Sequence, residues 1–235
     1  MIINISEIFY SIQGEGTSIG TPALFVRLQG CNLTCTWCDT PYTWKPGQNK
    51  EFIKYDVPDL ANEIEYDLNS ASDHCIIVFS GGEPLLQQEQ LQAIISSLHK
   101  SRVHHKYEIE TNGTLFPGAL EQFAERIQLN VSPKLENSEV PKEKRYCRDI
   151  LSRLAANDSE FTTFFKFVVT GPADIDEILS NFDFVPREKI IIMPEGVTRE
   201  SQVEGLSNLV EICKREGFRL IPRMHTLIWE NQRGV

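Results

Sequence analysis

The strongest constraint in this sequence is a rhythm. Short apolar runs rich in β-branched and aromatic residues recur along the chain: ALFVRL at 23–28, CIIVFS at 75–80, YEIE at 107–110, QLNV at 128–131, FFKFVVT at 164–170 and KIIIM at 189–193. Each is too short for a helix and reads as a buried strand. Between them lie stretches of helical spacing, such as Leu91, Ile94, Ile95 and Leu98, or Val203, Leu206, Leu209, Val210 and Cys213. Helices are expected at 59–68, with Asp59 as N-cap, and at 87–99, 117–125, 141–155 and 173–182. Strand–helix alternation of this kind builds a parallel sheet covered by helices, an α/β fold. About six strands are too few for a closed eight-stranded barrel, so a partial (β/α) barrel is expected. Residues 2–10 read as an extended flap or hairpin. Residues 42–57, polar and punctuated by Pro and Gly, read as an insertion in a single domain spanning 1–235.

The polar motifs fall just after strands, at the C-terminal edge where parallel α/β folds place their sites. The densest is the loop after 23–28, which carries Cys31, Cys35 and Cys38. A 4Fe–4S cube normally takes four thiolates, one per iron. Three in one loop leave an iron open to a small chelating molecule. Zinc is the rival metal, but a closed zinc site wants four ligands, and neither a second cysteine pair nor a histidine lies near this loop. Cys75, Cys147 and Cys213 are scattered and read as small core residues. The opening residues lack the basic and apolar regions of a signal peptide, and no run is long enough to span a membrane. A cytoplasmic location is therefore expected, where thiols stay reduced. A net charge of −10 offers no field for nucleic acid or an anionic membrane.

Cys-x-x-x-Cys-x-aromatic-Cys resembles the signature of the radical S-adenosylmethionine (SAM) superfamily. The resemblance implies that the amino and carboxylate groups of SAM chelate the open iron. Reductive cleavage then yields a 5′-deoxyadenosyl radical. Trp37, Cys38 and Asp39 in the loop would border SAM. Gly81-Gly82-Glu83-Pro84 resembles the superfamily's motif for the methionyl ammonium, with Gly82 and Glu83 at the contact. Glu110, at the start of Glu110-Thr111-Asn112-Gly113, and Ser132-Pro133-Lys134 resemble further SAM-contacting segments. Met193-Pro194-Glu195 has weaker support for the same role.

Ser11-Ile12-Gln13-Gly14-Glu15-Gly16, the run from Phe25 to Leu33, Trp37-Cys38-Asp39-Thr40 and the tail Pro222-Arg223-Met224-His225 together resemble the 7-carboxy-7-deazaguanine synthase family. That resemblance implies a lyase converting 6-carboxy-5,6,7,8-tetrahydropterin to 7-carboxy-7-deazaguanine with loss of ammonia, toward queuosine and tRNA modification. It also implies Mg²⁺ at Thr40, a homodimer, and flavodoxin or ferredoxin as electron donor. Arg27 interrupts an apolar strand, and its planar fork suits the substrate carboxylate or an internal ion pair. Glu15, in a glycine-flanked loop with Ile12, Gln13 and Gly14, can accept paired N–H groups from a pterin edge. Ser80 and His225 are further substrate candidates. Two other readings stay open: a glycyl-radical-enzyme activase acting on a protein, and a non-catalytic iron–sulfur protein with a regulatory role.

Overall fold

The computed structural model describes residues 1–48, 52–72, 74–99 and 105–235, so part of the expected insertion, 49–51, lies outside the described residues. The chain runs β1 (Ile2–Ile12), β2 (Pro22–Leu28), β3 (Ile53–Asp56), α1 (Val57–Asn69), β4 (Ile76–Gly81), α2 (Gln88–Leu98), β5 (Tyr107–Thr111) and β6 (Ile127–Val131). It continues α3 (Lys142–Arg145), α4 (Arg148–Ala155), β7 (Thr162–Val169), α5 (Pro172–Asn181), β8 (Ile190–Pro194), α6 (Arg199–Glu216), β9 (Arg219–Leu220) and α7 (Met224–Trp229). The strands form one sheet in the order β3-β1-β2-β4-β5-β6-β7-β8-β9. From β2 through β9 neighbouring strands run parallel, whereas β1 and β3 are antiparallel additions at one edge. The partial barrel is therefore as expected. The short β9, only two residues long, carries the parallel set past six.

Residues 2–10 are extended, as expected, and form an antiparallel hairpin with β2 while pairing with β3 on the other side. Local readings differ in four places. Within 42–57, residues 53–56 pair with β1 as the edge strand. The first helix starts at Val57, with Asp56 and not Asp59 at its N-cap and Pro58 in its first turn, where a missing N–H costs nothing. The helix expected at 141–155 is broken at Tyr146 and Cys147. That break lets the Tyr146 hydroxyl donate to the Asn181 carbonyl at 2.6 Å, with its ring edge-on to Phe182. Residues 118–126 wind as a 3₁₀ helix.

The two-residue period of the strands sorts side chains between two faces. Leu24, Val26 and Leu28, Ile77 and Phe79, Tyr107 and Ile109, and Phe165 and Phe167 join the main core beneath the helices. Leu91, Ile94, Ile95 and Leu98 of α2 are fully buried there, worth roughly 1.5–3 kcal/mol each in area removed from water. On the opposite face stand Arg27, Ser80, Glu108, Glu110, Gln128, Asn130 and Lys166. The register sets Arg27 beside Ser80, Glu108 beside Gln128 and Glu110 beside Asn130. Helices thus cover one face, and the other carries a polar basin beside a small apolar cluster of Ala23, Phe25, Ile76 and Val78.

The β1–β2 ladder shifts register between Ile5 and Glu7, which places Glu7 opposite Arg27. Gln87 stitches this irregularity. Its Oε1 accepts the Asn4 N–H at 2.8 Å, and its amide donates to the Asn4 and Gln29 carbonyls at 3.2 and 3.1 Å. Replacing Gln87 with Leu leaves these backbone groups short of a partner, at a cost of about 1–3 kcal/mol. The expected result is a lower Tm with unchanged helix content, measured by circular dichroism on the metal-free protein.

Candidate active site

The cysteine loop and the glycine turn are one backbone unit. The Gly82 and Glu83 N–H groups donate to the Leu28 and Gly30 carbonyls at 3.3 and 2.8 Å. A Cβ on Gly81 would strike the Leu28 backbone, and one on Gly82 the Gly30 carbonyl and the Cys31 Cβ. Only glycine permits this approach. The Asn32 side chain extends the contact to the end of β5, accepting from Asn112 Nδ2 and donating to Thr114 Oγ1, both at 2.8 Å.

Two adjoining chambers open at the C-terminal ends of the strands. The smaller, about 150 Å³, is walled by all three cysteines, with Gly82, Ser132 and Lys134 opposite. The larger, about 640 Å³, is walled by Ile12, Gln13, Gly14, Arg27, Ser80 and His225. Glu15, Trp37, Cys38, Asp39, Thr40 and Glu110 border both. Of the residues expected around SAM, Gly82, Ser132 and Lys134 line the smaller chamber alone, and of those expected around a substrate, Ile12, Gln13, Gly14, Arg27, Ser80 and His225 line the larger alone.

The donor set suits an iron–sulfur cube. Cys31, Cys35 and Cys38 pack together with Leu33 and Val140 around the smaller chamber. Among the described residues no three His, Cys, Asp or Glu side chains converge closely enough for a single metal ion. Burial pushes the Cys31 thiol up to about 11 and raises Cys35 as well, so cluster assembly must release protons.

A chain of charges ties the chambers together. Lys166, buried on β7, pairs with Glu15 and, at 2.7 Å, with Glu110. Arg223, after β9, pairs with Glu15 at 3.0 Å and with Asp39. Burial alone would raise the Glu15 carboxyl, but Lys166, Arg223 and His225 hold it well below the usual carboxylate range. Burial in turn lowers His225, which stands 3.9 Å from Glu15. Gln13 lies beneath, its amide donating to Glu108 and Glu110 at 2.8 and 3.3 Å and its Oε1 accepting the Glu15 N–H.

Several residues have partners the sequence did not reveal. The Glu83 carboxylate borders neither chamber. It is wholly buried and accepts from the Leu85 and Asn112 N–H groups and the Thr111 hydroxyl, at 3.0, 2.7 and 2.9 Å. It locks the glycine turn to β5. Pro133 is likewise absent from both walls. Arg27 has the internal ion pair left open above, Nε to Glu7 at 2.7 Å, yet it also faces the larger chamber. The Ser80 hydroxyl is buried without a partner on that chamber's wall. Lys166 and Arg223 received no role from the sequence. The interruption of FFKFVV by a lysine was the available signal, of the same kind as the arginine in ALFVRL.

Three clustered thiols, a glycine turn laid against them and a basin of polar strand ends define a radical SAM enzyme. The sequence matches the family described as "4Fe-4S single cluster domain" over residues 12–150. It is 33% identical to the 7-carboxy-7-deazaguanine synthase of Pyrobaculum aerophilum, covering 99% of this chain and 97% of that one. Against the synthase of the same name from Halobacterium salinarum it is 32% identical, over 97% and 90%. The fold matches the crystal structure of QueE from Escherichia coli with a TM-score of 0.70 and 25% identity, over 96% and 95% of the two chains. The fold alone is shared with native anSMEcpe with bound AdoMet, at a TM-score of 0.55 and 19% identity. The chain belongs to the 7-carboxy-7-deazaguanine synthase family. Its cofactors are a 4Fe–4S cluster and SAM, and the activase and non-catalytic readings fall away.

Two outcomes follow from the geometry. Gly82→Ala forces the turn off the cysteine loop, so anaerobic reconstitution should incorporate far less iron and sulfide per chain than the native protein does. The depressed Glu15 stabilises the fold above its ordinary pKa, and that contribution is lost as pH falls through its folded value. The Tm advantage of the native protein over Glu15→Gln should therefore be present at neutral pH and narrow as pH drops below 4.5, the ordinary value for a glutamate.

Proposed function

We propose that this chain contracts the ring of 6-carboxy-5,6,7,8-tetrahydropterin to 7-carboxy-7-deazaguanine, releasing ammonia, within the larger chamber. The observation that carries this reading is the shared wall: Cys38, Asp39 and Thr40 border the thiol chamber and the Arg27–Ser80 chamber alike. When bound, a cluster on Cys31, Cys35 and Cys38 together with SAM would supply the radical chemistry. The protein's own residues bind and orient. Arg27, braced by Glu7 and lying 5.6 Å from the Phe9 ring centre, offers its terminal nitrogens to the substrate carboxylate. The unpartnered Ser80 hydroxyl supplies a polar contact beside it. Glu15 keeps lone pairs beyond those used by Lys166 and Arg223, and these accept N–H groups of the pterin edge. His225, close to Gly14, closes the same side. Gln13 positions Glu15 from below, and Ile12 and Gly14 shape the wall.

Around SAM, Trp37, Cys38, Asp39, Gly82, Glu110, Ser132 and Lys134 form the walls. Lys134 is oriented by Ser132 at 2.9 Å and by the Trp37 ring 5.5 Å away. Thr40 stands at the junction with a hydroxyl of the hard-oxygen type that Mg²⁺ prefers. The same proposal includes a single domain over 1–235, a homodimer, flavodoxin or ferredoxin as the electron source, and no direct contact with nucleic acid. Among the described residues, no helix is long and apolar enough to cross a membrane.

Anaerobic incubation of the reconstituted protein with substrate, SAM, Mg²⁺ and reductant should yield 7-carboxy-7-deazaguanine and ammonium in equal amounts. Substrate returned unchanged while SAM binds would falsify the assignment. Thr40→Ala should lose the stimulation by Mg²⁺, and an unaltered Mg²⁺ dependence of turnover would remove Thr40 from the site.

A further inference from the structure

Trp44 lies in the segment to which the sequence assigned no role. Its indole Nε1–H donates to Cys38 Sγ at 3.3 Å, and its side chain helps wall the smaller chamber beside the three cysteines. The position is firmly held. Thr43, fully buried, donates its hydroxyl to the Thr40 carbonyl at 2.8 Å, and its own carbonyl accepts the Gly30 N–H at 2.8 Å. The Trp44 N–H is tied to the Pro41 carbonyl at 3.2 Å. The indole is thereby fixed to both ends of the cysteine loop. The loop's own tryptophan, Trp37, directs its N–H elsewhere, to the Asn137 carbonyl and Oδ1 at 3.0 and 3.1 Å.

We infer that the Trp44 indole N–H is a tuning donor to the cluster-ligating Cys38 sulfur and makes the bound cluster easier to reduce. The inference rests on the cluster reading above and adds a residue to it. A hydrogen bond to a thiolate sets positive charge beside the cluster. Reduction adds an electron and deepens the negative charge on the sulfurs, so the donor stabilises the reduced form more than the oxidised one. The segment 41–44 thus acts on the redox step from outside the cysteine motif, through the Cys38 sulfur.

The test is the midpoint potential of the reconstituted cluster, read by EPR in an anaerobic redox titration, for the native protein and for Trp44→Phe. Phenylalanine keeps the ring and removes the donor. The expected result is equal iron and sulfide content with a more negative potential, by about tenfold in the reduction equilibrium, or about 59 mV for a one-electron couple. Equal loading with an unmoved or more positive potential overturns the inference. If Trp44→Phe takes up too little cluster to titrate, native protein carrying indole-¹⁵N tryptophan decides the matter. A nitrogen coupling to the reduced cluster in pulsed EPR supports the bond, and its absence overturns it. A native protein that incorporates no cluster would overturn both this inference and the reading beneath it.

Discussion

The ion pairs joining Glu15, Lys166, Arg223 and Asp39 are the contacts on which the site depends. An open sheet has no ladder to close it, and its two ends must be held across the basin by something else. Here side chains do it. Glu15 follows β1, Asp39 follows β2, Lys166 lies on β7 and Arg223 follows β9. Desolvating these groups is costly, and they persist because each charge meets an opposite one at close range. Breaking such a set by removing one partner typically costs about 3–5 kcal/mol, because another charge is left uncompensated. Glu15, Asp39 and Arg223 border both chambers and Lys166 the smaller one, so bridging the open sheet and shaping the site go together.

A second constraint is steric. The cysteine loop and the Gly81-Gly82 turn touch backbone to backbone, with no room for a Cβ between them. Glu83, buried beneath, ties that turn to the end of β5 through two hydrogen bonds, from the Thr111 hydroxyl and the Asn112 N–H, and caps its own turn through the Leu85 N–H. Burial raises its carboxyl despite those donors. The carboxylate's work is to fix the distance between cysteine loop and strand ends, which sets the width of the smaller chamber. The segment after Thr40 adds a third tie through Thr43 and Trp44. The three-cysteine loop is therefore held along its length by its neighbours, and those contacts determine which way its sulfurs face.

Much of this was legible in the chain. Strand runs such as CIIVFS announce themselves by composition, and the three cysteines announce metal chemistry by number. The polar interruptions at Arg27 and Lys166 mark the inner face. The break at Tyr146–Cys147 was not legible, because only the contact of Tyr146 with Asn181 and Phe182 rewards it. Nor was the edge strand 53–56, whose burial is slight and whose pairing partner is the start of the chain.

The sequence by itself determined the class of fold and the family, and singled out three cysteines for metal chemistry, because these rest on local patterns: a two-residue period, a cysteine spacing, a glycine pair. The tertiary structure alone decided which charged groups meet. Glu15 and Arg223 are 208 positions apart in sequence, and their pairing follows from the curvature of a sheet, which no local window encodes. For the same reason Arg27 acquired Glu7, Glu83 turned inward, and the Trp44 N–H came to rest on a cysteine sulfur.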